Sequence, residues 1–230
     1  MCGIFGSNNF KNYKIMYEVN KIRGNFAYGG LYTTLGKEIY IRKRPGEVDL
    51  TDDGEFIDEY NMFLGHTQAP TSVKREFSPR TSHPFEDMYH LVAHNGVLEN
   101  YDEIVDDYLI AHLNAVDSSV IPALIAMLLE FDDDLTSAES HKTQELVAIE
   151  RCCEMLKGTF ACWIYGKLTG CTYLVRSGST LFGNHDTGDF SSMKIPGVCE
   201  DEIEQGVVYC VTTEGLAKCG KFKTNNPFFL

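Results

Sequence analysis

Short β-favouring runs come first, helical stretches occupy the middle of the chain, and strand-like runs return at the end. That order is what most limits the fold. Residues 2–5, 26–34, 38–42 and 62–66 are runs of Ile, Phe, Tyr, Leu and Thr bounded by Gly, Asn and Asp, and they read as strands. Asn100 then precedes Tyr101, Ile104, Val105 and Tyr108, which fall on one face of a helix, with Glu103 three residues after the cap position. A second helix is expected over residues 117–131, with Pro122 tolerated in its first turn. A third carries Leu146, Ile149, Cys153 and Leu156 as an apolar stripe and stops at Gly158. Strands resume at 159–165, 171–176 and 207–213. Segregated strands and helices predict an α+β architecture of antiparallel sheets flanked by helices, not alternating βαβ units. No linker, repeat or composition shift cuts the 230 residues, so residues 1–230 are read as one domain.

Composition excludes several functions. The 33 acidic against 20 basic residues give a net charge of −13, which argues against a nucleic-acid or anionic-membrane partner. The uncharged apolar stretch 118–129 is shorter than the ~20 residues a membrane span needs. The opening residues carry no basic segment before an apolar core, so no signal peptide is read and a cytoplasmic protein is expected. The eight cysteines lack any C-x-x-C spacing, which leaves neither a zinc site nor a disulfide framework. No glycine-rich phosphate loop is present, and the acids at 132–134 lack calcium-loop spacing. No metal and no cofactor is expected.

Cys2 is chemically unlike the other cysteines. A small residue after the initiator Met permits removal of Met1, which would leave a thiol and an α-amine on one residue. An α-amine has a reference pKa of ~7.7–8.0, so it can act as general base for its own thiol near neutral pH. A second candidate is Asn95-Gly96, set between the apolar runs Leu91-Val92-Ala93 and Val97-Leu98. Two readings are open there: a tight hairpin turn, or an oxyanion hole built from the Asn95 amide and the Gly96 main-chain N–H.

Seven motifs stand in register: M-C-G-I-F-G at residues 1–6, R-G-x-x-x-x-G-G at 23–30, L-G-H-T at 64–67, S-H-P-F at 82–85, H-N-G-V-L-E-N-Y at 94–101, D-S-S-V-I at 117–121 and R-S-G-S at 176–179. Together they resemble the class II glutamine amidotransferase, or glutaminase, domain. The pattern is similar to the glutaminase half of glucosamine-6-phosphate synthase and to stand-alone phage-type amidotransferases. The resemblance implies the four-layer αββα sandwich of N-terminal-nucleophile hydrolases and the hydrolysis of glutamine through a γ-glutamyl thioester on Cys2. It implies glutamine as substrate, a separate ammonia-accepting synthase as partner, and the cytoplasm, a host's if the chain is viral, as location. By position it makes Asn95 and Gly96 the oxyanion donors and Arg23 the residue that orders Cys2. Thr71, His83 and Asp117 line the glutamine site, with Asp117 pairing the α-ammonium. Taken singly, Asp117 also reads as a helix cap, His83 as a turn residue before Pro84, and Arg23 as a partner for a surface acid.

The chain departs from the family at Gln68, where relatives carry an arginine that clamps the substrate carboxylate. Two readings stay open. Arg75 or Arg80 restores the clamp, which the presence of Asp117 favours, or the substrate lacks a free α-carboxylate. The rival activities are a stand-alone γ-glutamyl or amide hydrolase on the same fold, and a catalytically silent regulatory module. The apolar end of the chain, Pro227-Phe228-Phe229-Leu230, either packs on the domain or docks a partner.

Overall fold

The computed structural model describes residues 1–34, 38–51, 57–69, 76–110, 116–129 and 138–225. Thr71, Arg75, the acids at 132–134 and the apolar end at 227–230 lie outside them. Strand β1 (Gly3–Ser7) leads into α1 (Phe10–Asn20), then β2 (Ala27–Thr33), β3 (Ile39–Pro45) and β4 (Met62–Gln68). Next come β5 (Phe85–Glu86), β6 (His90–Leu98), α2 (Tyr101–Asp107), α3 (Val120–Leu128) and α4 (Ala138–Met155). The chain closes with β7 (Gly158–Gly166), β8 (Thr172–Ser177), the short β9 (Phe182–Gly183), β10 (Phe190–Ser191) and β11 (Asp201–Glu202), then β12 (Val207–Thr212) and β13 (Gly215–Lys221).

The strands form two antiparallel sheets. One has the order β11-β9-β10-β1-β4-β2-β3, the other β13-β12-β8-β7-β6-β5. Alternation along each strand sends one set of side chains between the sheets and the other toward helices. Ile4 and Leu64 from the first sheet meet Leu91, Ala93, Trp163, Leu174 and Tyr209 from the second. Trp163 Nε1 donates across this layer to the Gly65 carbonyl at 3.0 Å. The outer face of the first sheet packs Phe5, Tyr28, Tyr32 and Phe63 against Tyr13, Met16 and Tyr17 of α1. The outer face of the second packs Val92, Cys162, Ile164 and Val175 against α3 and α4 through Leu124, Ile125, Ile149 and Cys152. The result is the expected α+β sandwich with layers αββα.

Three local expectations change. Helix α1 stands where the first third reads as strand-rich; Asn9 caps it, accepting from Lys11 N at 2.9 Å and Asn12 N at 3.3 Å. Asn100 precedes α2 but does not cap it with its side chain. Its amide instead donates to Met155 O and accepts from Lys157 N, both at 2.9 Å, which ties the end of α4 to the start of α2. Asn95-Gly96 is not a hairpin turn. It lies inside the nine-residue strand β6, where Asn95 pairs with Ala161 and Gly96 with Phe160 of β7.

Candidate active site

Cys2 sits just before β1, on the parity of Ile4 and so toward the space between the sheets. Gly3 pairs with Thr67, so extending the register by one residue sets Cys2 opposite Gln68 of β4. The thiol accepts a hydrogen bond from Ala69 N at 3.5 Å. Burial pushes its pKa up, against smaller opposing effects that include the Ala69 N–H, so the group is a neutral thiol near pH 7. Met1, by contrast, is 86% exposed.

Behind Cys2 stands Arg23, on the turn after α1. Its Nε donates to the Cys2 carbonyl at 2.8 Å, and the same guanidinium reaches Thr180 Oγ1 and Ser192 O, each at 3.3 Å. A rigid planar donor with several N–H groups suits this branching role. Of the two readings of Arg23, the side chain makes the tie to the Cys2 backbone.

Asn95 projects from β6 toward the first sheet and is 2% exposed. Its Nδ2 donates to Ser192 Oγ at 3.4 Å, and Ser192 Oγ also accepts from Ile4 N at 3.0 Å. Ser192 follows β10 in a polar loop, and nothing in the local sequence marks it. Gly96 is required by close approach: a Cβ there would lie 1.9 Å from the Thr159 carbonyl oxygen and 2.7 Å from His94 Nε2.

Cys2, Gln68, His83, Gly96 and Asp117 share the wall of one cavity of ≈ 340 Å³, together with His94 and Ser118. Asp117 opens a one-turn 3-10 helix before α3, yet its carboxylate does more than cap. Oδ2 accepts from Leu98 N of β6 at 2.9 Å, and Oδ1 accepts from Ser118 N at 2.8 Å. His94 lies beneath it, with Nδ1 2.8 Å from Ser118 Oγ and Nε2 3.4 Å from the Thr159 carbonyl. A carbonyl only accepts, so Nε2 carries the proton and Nδ1 is the acceptor. Burial lowers the His94 pKa, with Asp117 opposing, and the ring is neutral. His83 stacks on His66 at 3.8 Å between ring centroids. His66 is held down to about 3 by burial, while its Nε2 faces the His94 carbonyl at 3.2 Å. Gly29 makes room for this arrangement, since a Cβ there would lie 2.0 Å from the His83 carbonyl oxygen.

Arg80 is placed elsewhere, in a groove with Lys43, Arg44, Phe85 and Glu86. Among the described residues no cluster of three or more His, Cys, Asp or Glu could hold a metal ion. No helix among them is long and apolar enough to cross a membrane.

Two facing antiparallel sheets between helices match the N-terminal-nucleophile hydrolase-like fold seen in solved glutamine amidotransferases. The chain superposes on the glutamine phosphoribosylpyrophosphate amidotransferase of B. subtilis with a TM-score of 0.72 and 19% identity, covering 97% of this chain and 50% of that one. A glutamine aminotransferase class-II domain protein from Silicibacter pomeroyi gives a TM-score of 0.53 at 12% identity, covering 96% and 99%. By sequence its homologues are glutamine–fructose-6-phosphate aminotransferases. That of Thermotoga maritima is 28% identical over 200 residues, 82% of this chain and 30% of the relative. That of Halobacterium salinarum is 30% identical over 167 residues, 70% of this chain and 26% of the relative. The chain thus spans less than a third of the length of these curated relatives. No family model matches it.

Proposed function

We propose that residues 1–230 form one glutaminase domain that hydrolyses the side-chain amide of glutamine to a γ-carboxylate and ammonia. The observation that carries this reading is the joint placement of Cys2, Gly96 and Asp117 on one cavity wall at the head of β1. Removal of the exposed Met1 turns the Cys2 amide nitrogen into an amine beside the thiol. That amine takes the thiol proton as sulfur attacks the amide carbon, and passes a proton to departing ammonia. The γ-glutamyl thioester then yields to water. Asn95 and the Gly96 N–H hold the developing oxyanion, Arg23 orders the Cys2 backbone, and Asp117 receives the substrate ammonium. His83 completes the described substrate wall in this reading, and Thr71, outside the described residues, is assigned to substrate binding with it.

The homologues carry the word aminotransferase in their names, and this chain matches less than a third of their length. In this reading the ammonia formed here goes to an ammonia-accepting synthase, and the chain works in the cytoplasm, a host's if it is viral. The test is release of glutamate and ammonia from glutamine by the purified chain, with Cys2→Ser as control. Equal release by wild type and Cys2→Ser would refute the reading.

A further inference from the structure

We propose that Cys171 and Cys210 are a redox modification site: a thiol pair on the outer face of the second sheet that a peroxide converts to a reversible disulfide. Neither lines the Cys2 cavity, and the site stands whether or not the glutaminase reading does.

Strands β8 and β12 pair with Tyr173 opposite Cys210 and Thr172 opposite Val211. Cys171 lies two residues before Tyr173, so strand parity puts it on the same face as Tyr173 and Cys210. Both cysteines pack against the cluster under α4 that contains Tyr173, Val175 and Val208. They are diagonal neighbours on adjacent strands, and their side chains meet in a thiol–thiol hydrogen bond. Each is half-buried, whereas Cys152, Cys153 and Cys162 are buried. A cross-link between diagonal positions needs a small backbone shift. Cys171 has room for one, because it stands ahead of the first residue of β8, after a turn where Gly170 has φ 71°.

The surroundings divide the pair into two roles. The Cys210 S–H donates to Cys171, and the Lys142 ammonium of α4 adds its charge; together they outweigh burial and lower the Cys171 pKa. The same hydrogen bond, together with burial, pushes Cys210 up. A thiolate next to a protonated thiol is the arrangement in which the first sulfur is oxidised and the second captures it. With hydrogen peroxide the Cys171 sulfur takes one oxygen, the O–O bond breaks, and one water leaves. The Cys210 sulfur then attacks the sulfenic acid; an S–S bond forms, the S–O bond breaks, and the oxygen departs as a second water with the Cys210 proton. The two thiols lose two electrons, and one peroxide is reduced to two waters.

The experiment treats the full chain with hydrogen peroxide at neutral pH, alkylates the remaining thiols and maps the peptides by mass spectrometry. A cross-linked pair joining Cys171 to Cys210 should appear and vanish on treatment with dithiothreitol. Cys171→Ser and Cys210→Ser should each abolish it while leaving the far-ultraviolet circular dichroism unchanged. Without oxidant, limiting iodoacetamide at neutral pH should label Cys171 about tenfold or more faster than Cys219, although Cys219 is the more exposed. Burial pushes the Cys219 thiol up to about 11, so exposure alone would give the reverse order. Free Cys171 after peroxide, its oxidation without capture by Cys210, a cross-link to any other cysteine, or faster labelling of Cys219 would each overturn the proposal. Should a serine variant fail to fold, the wild-type map decides by itself.

Discussion

Asn95 is held by Ser192: the amide Nδ2 of one lies 3.4 Å from the hydroxyl Oγ of the other, across the gap between the two sheets. The same hydroxyl accepts from Ile4 N at 3.0 Å, which fixes Asn95 relative to the strand that begins beside Cys2. The amide nitrogen carries a second N–H, the one the proposed function assigns to the oxyanion.

Asn95→Ala should lower kcat by ~10²–10³, roughly 2.7–4 kcal/mol of transition-state stabilisation, if it is an oxyanion donor. Far-ultraviolet circular dichroism should be unchanged. Ser192→Ala should cost less, because the donor survives and only its anchor is lost. A kcat within threefold of wild type for Asn95→Ala would leave Asn95 a packing residue.

Met1 governs activity if the base is the Cys2 amine. Intact mass of active protein should lack Met1, and a preparation that keeps it should be inactive until treated with an aminopeptidase. Because burial raises the Cys2 thiol, activity should climb as pH rises through the amine value of ~7.7–8.0, with no plateau at acid pH from a preformed thiolate. Full activity with Met1 in place would end this mechanism.

Gly96→Ala should destabilise the chain, since its Cβ would enter the Thr159 carbonyl at 1.9 Å and force β6 from β7. Overpacking of this kind costs ~1–3 kcal/mol. The measurement is the urea midpoint of unfolding, expected to fall while the slope with denaturant is kept.

His90 gives a pH signature away from the cavity. It is fully buried, with Asp87 Oδ1 and Glu145 Oε1 each 3.4 Å from a ring nitrogen. Burial lowers its pKa, but the two carboxylates outweigh it and the net shift is upward. A raised folded-state value means the stabilisation is complete below the unfolded value of ~6.5 and is lost as pH rises through the folded one. The difference in thermal midpoint between wild type and His90→Gln should therefore be largest at acid pH and shrink toward alkaline pH. A constant difference would show that His90 acts by packing alone.

Much of the frame was legible without coordinates, because strands such as β1, β2 and β4 and the stripe of α4 are local patterns of side-chain size and polarity. Even α1 left a trace, as its buried residues Tyr13, Met16, Tyr17 and Asn20 recur at helical spacing. Aromatic residues that also favour strands obscured it. Cys2 stood out by position alone. What required the folded chain were relations between distant residues. Asn95-Gly96 is a turn by local preference, yet it is strand because Ala161 and Phe160, more than sixty residues away, supply the ladder. Ser192 has no local signature; it matters because β10 pairs with β1 and brings its hydroxyl between Ile4 and Asn95. Arg80 and Gln68 are near neighbours in sequence, but the sheet turns Gln68 toward Cys2 while Arg80 joins another groove. Local periodicity specifies elements, whereas long-range pairing decides which side chains face one another, and that is where the chemistry of this site was set.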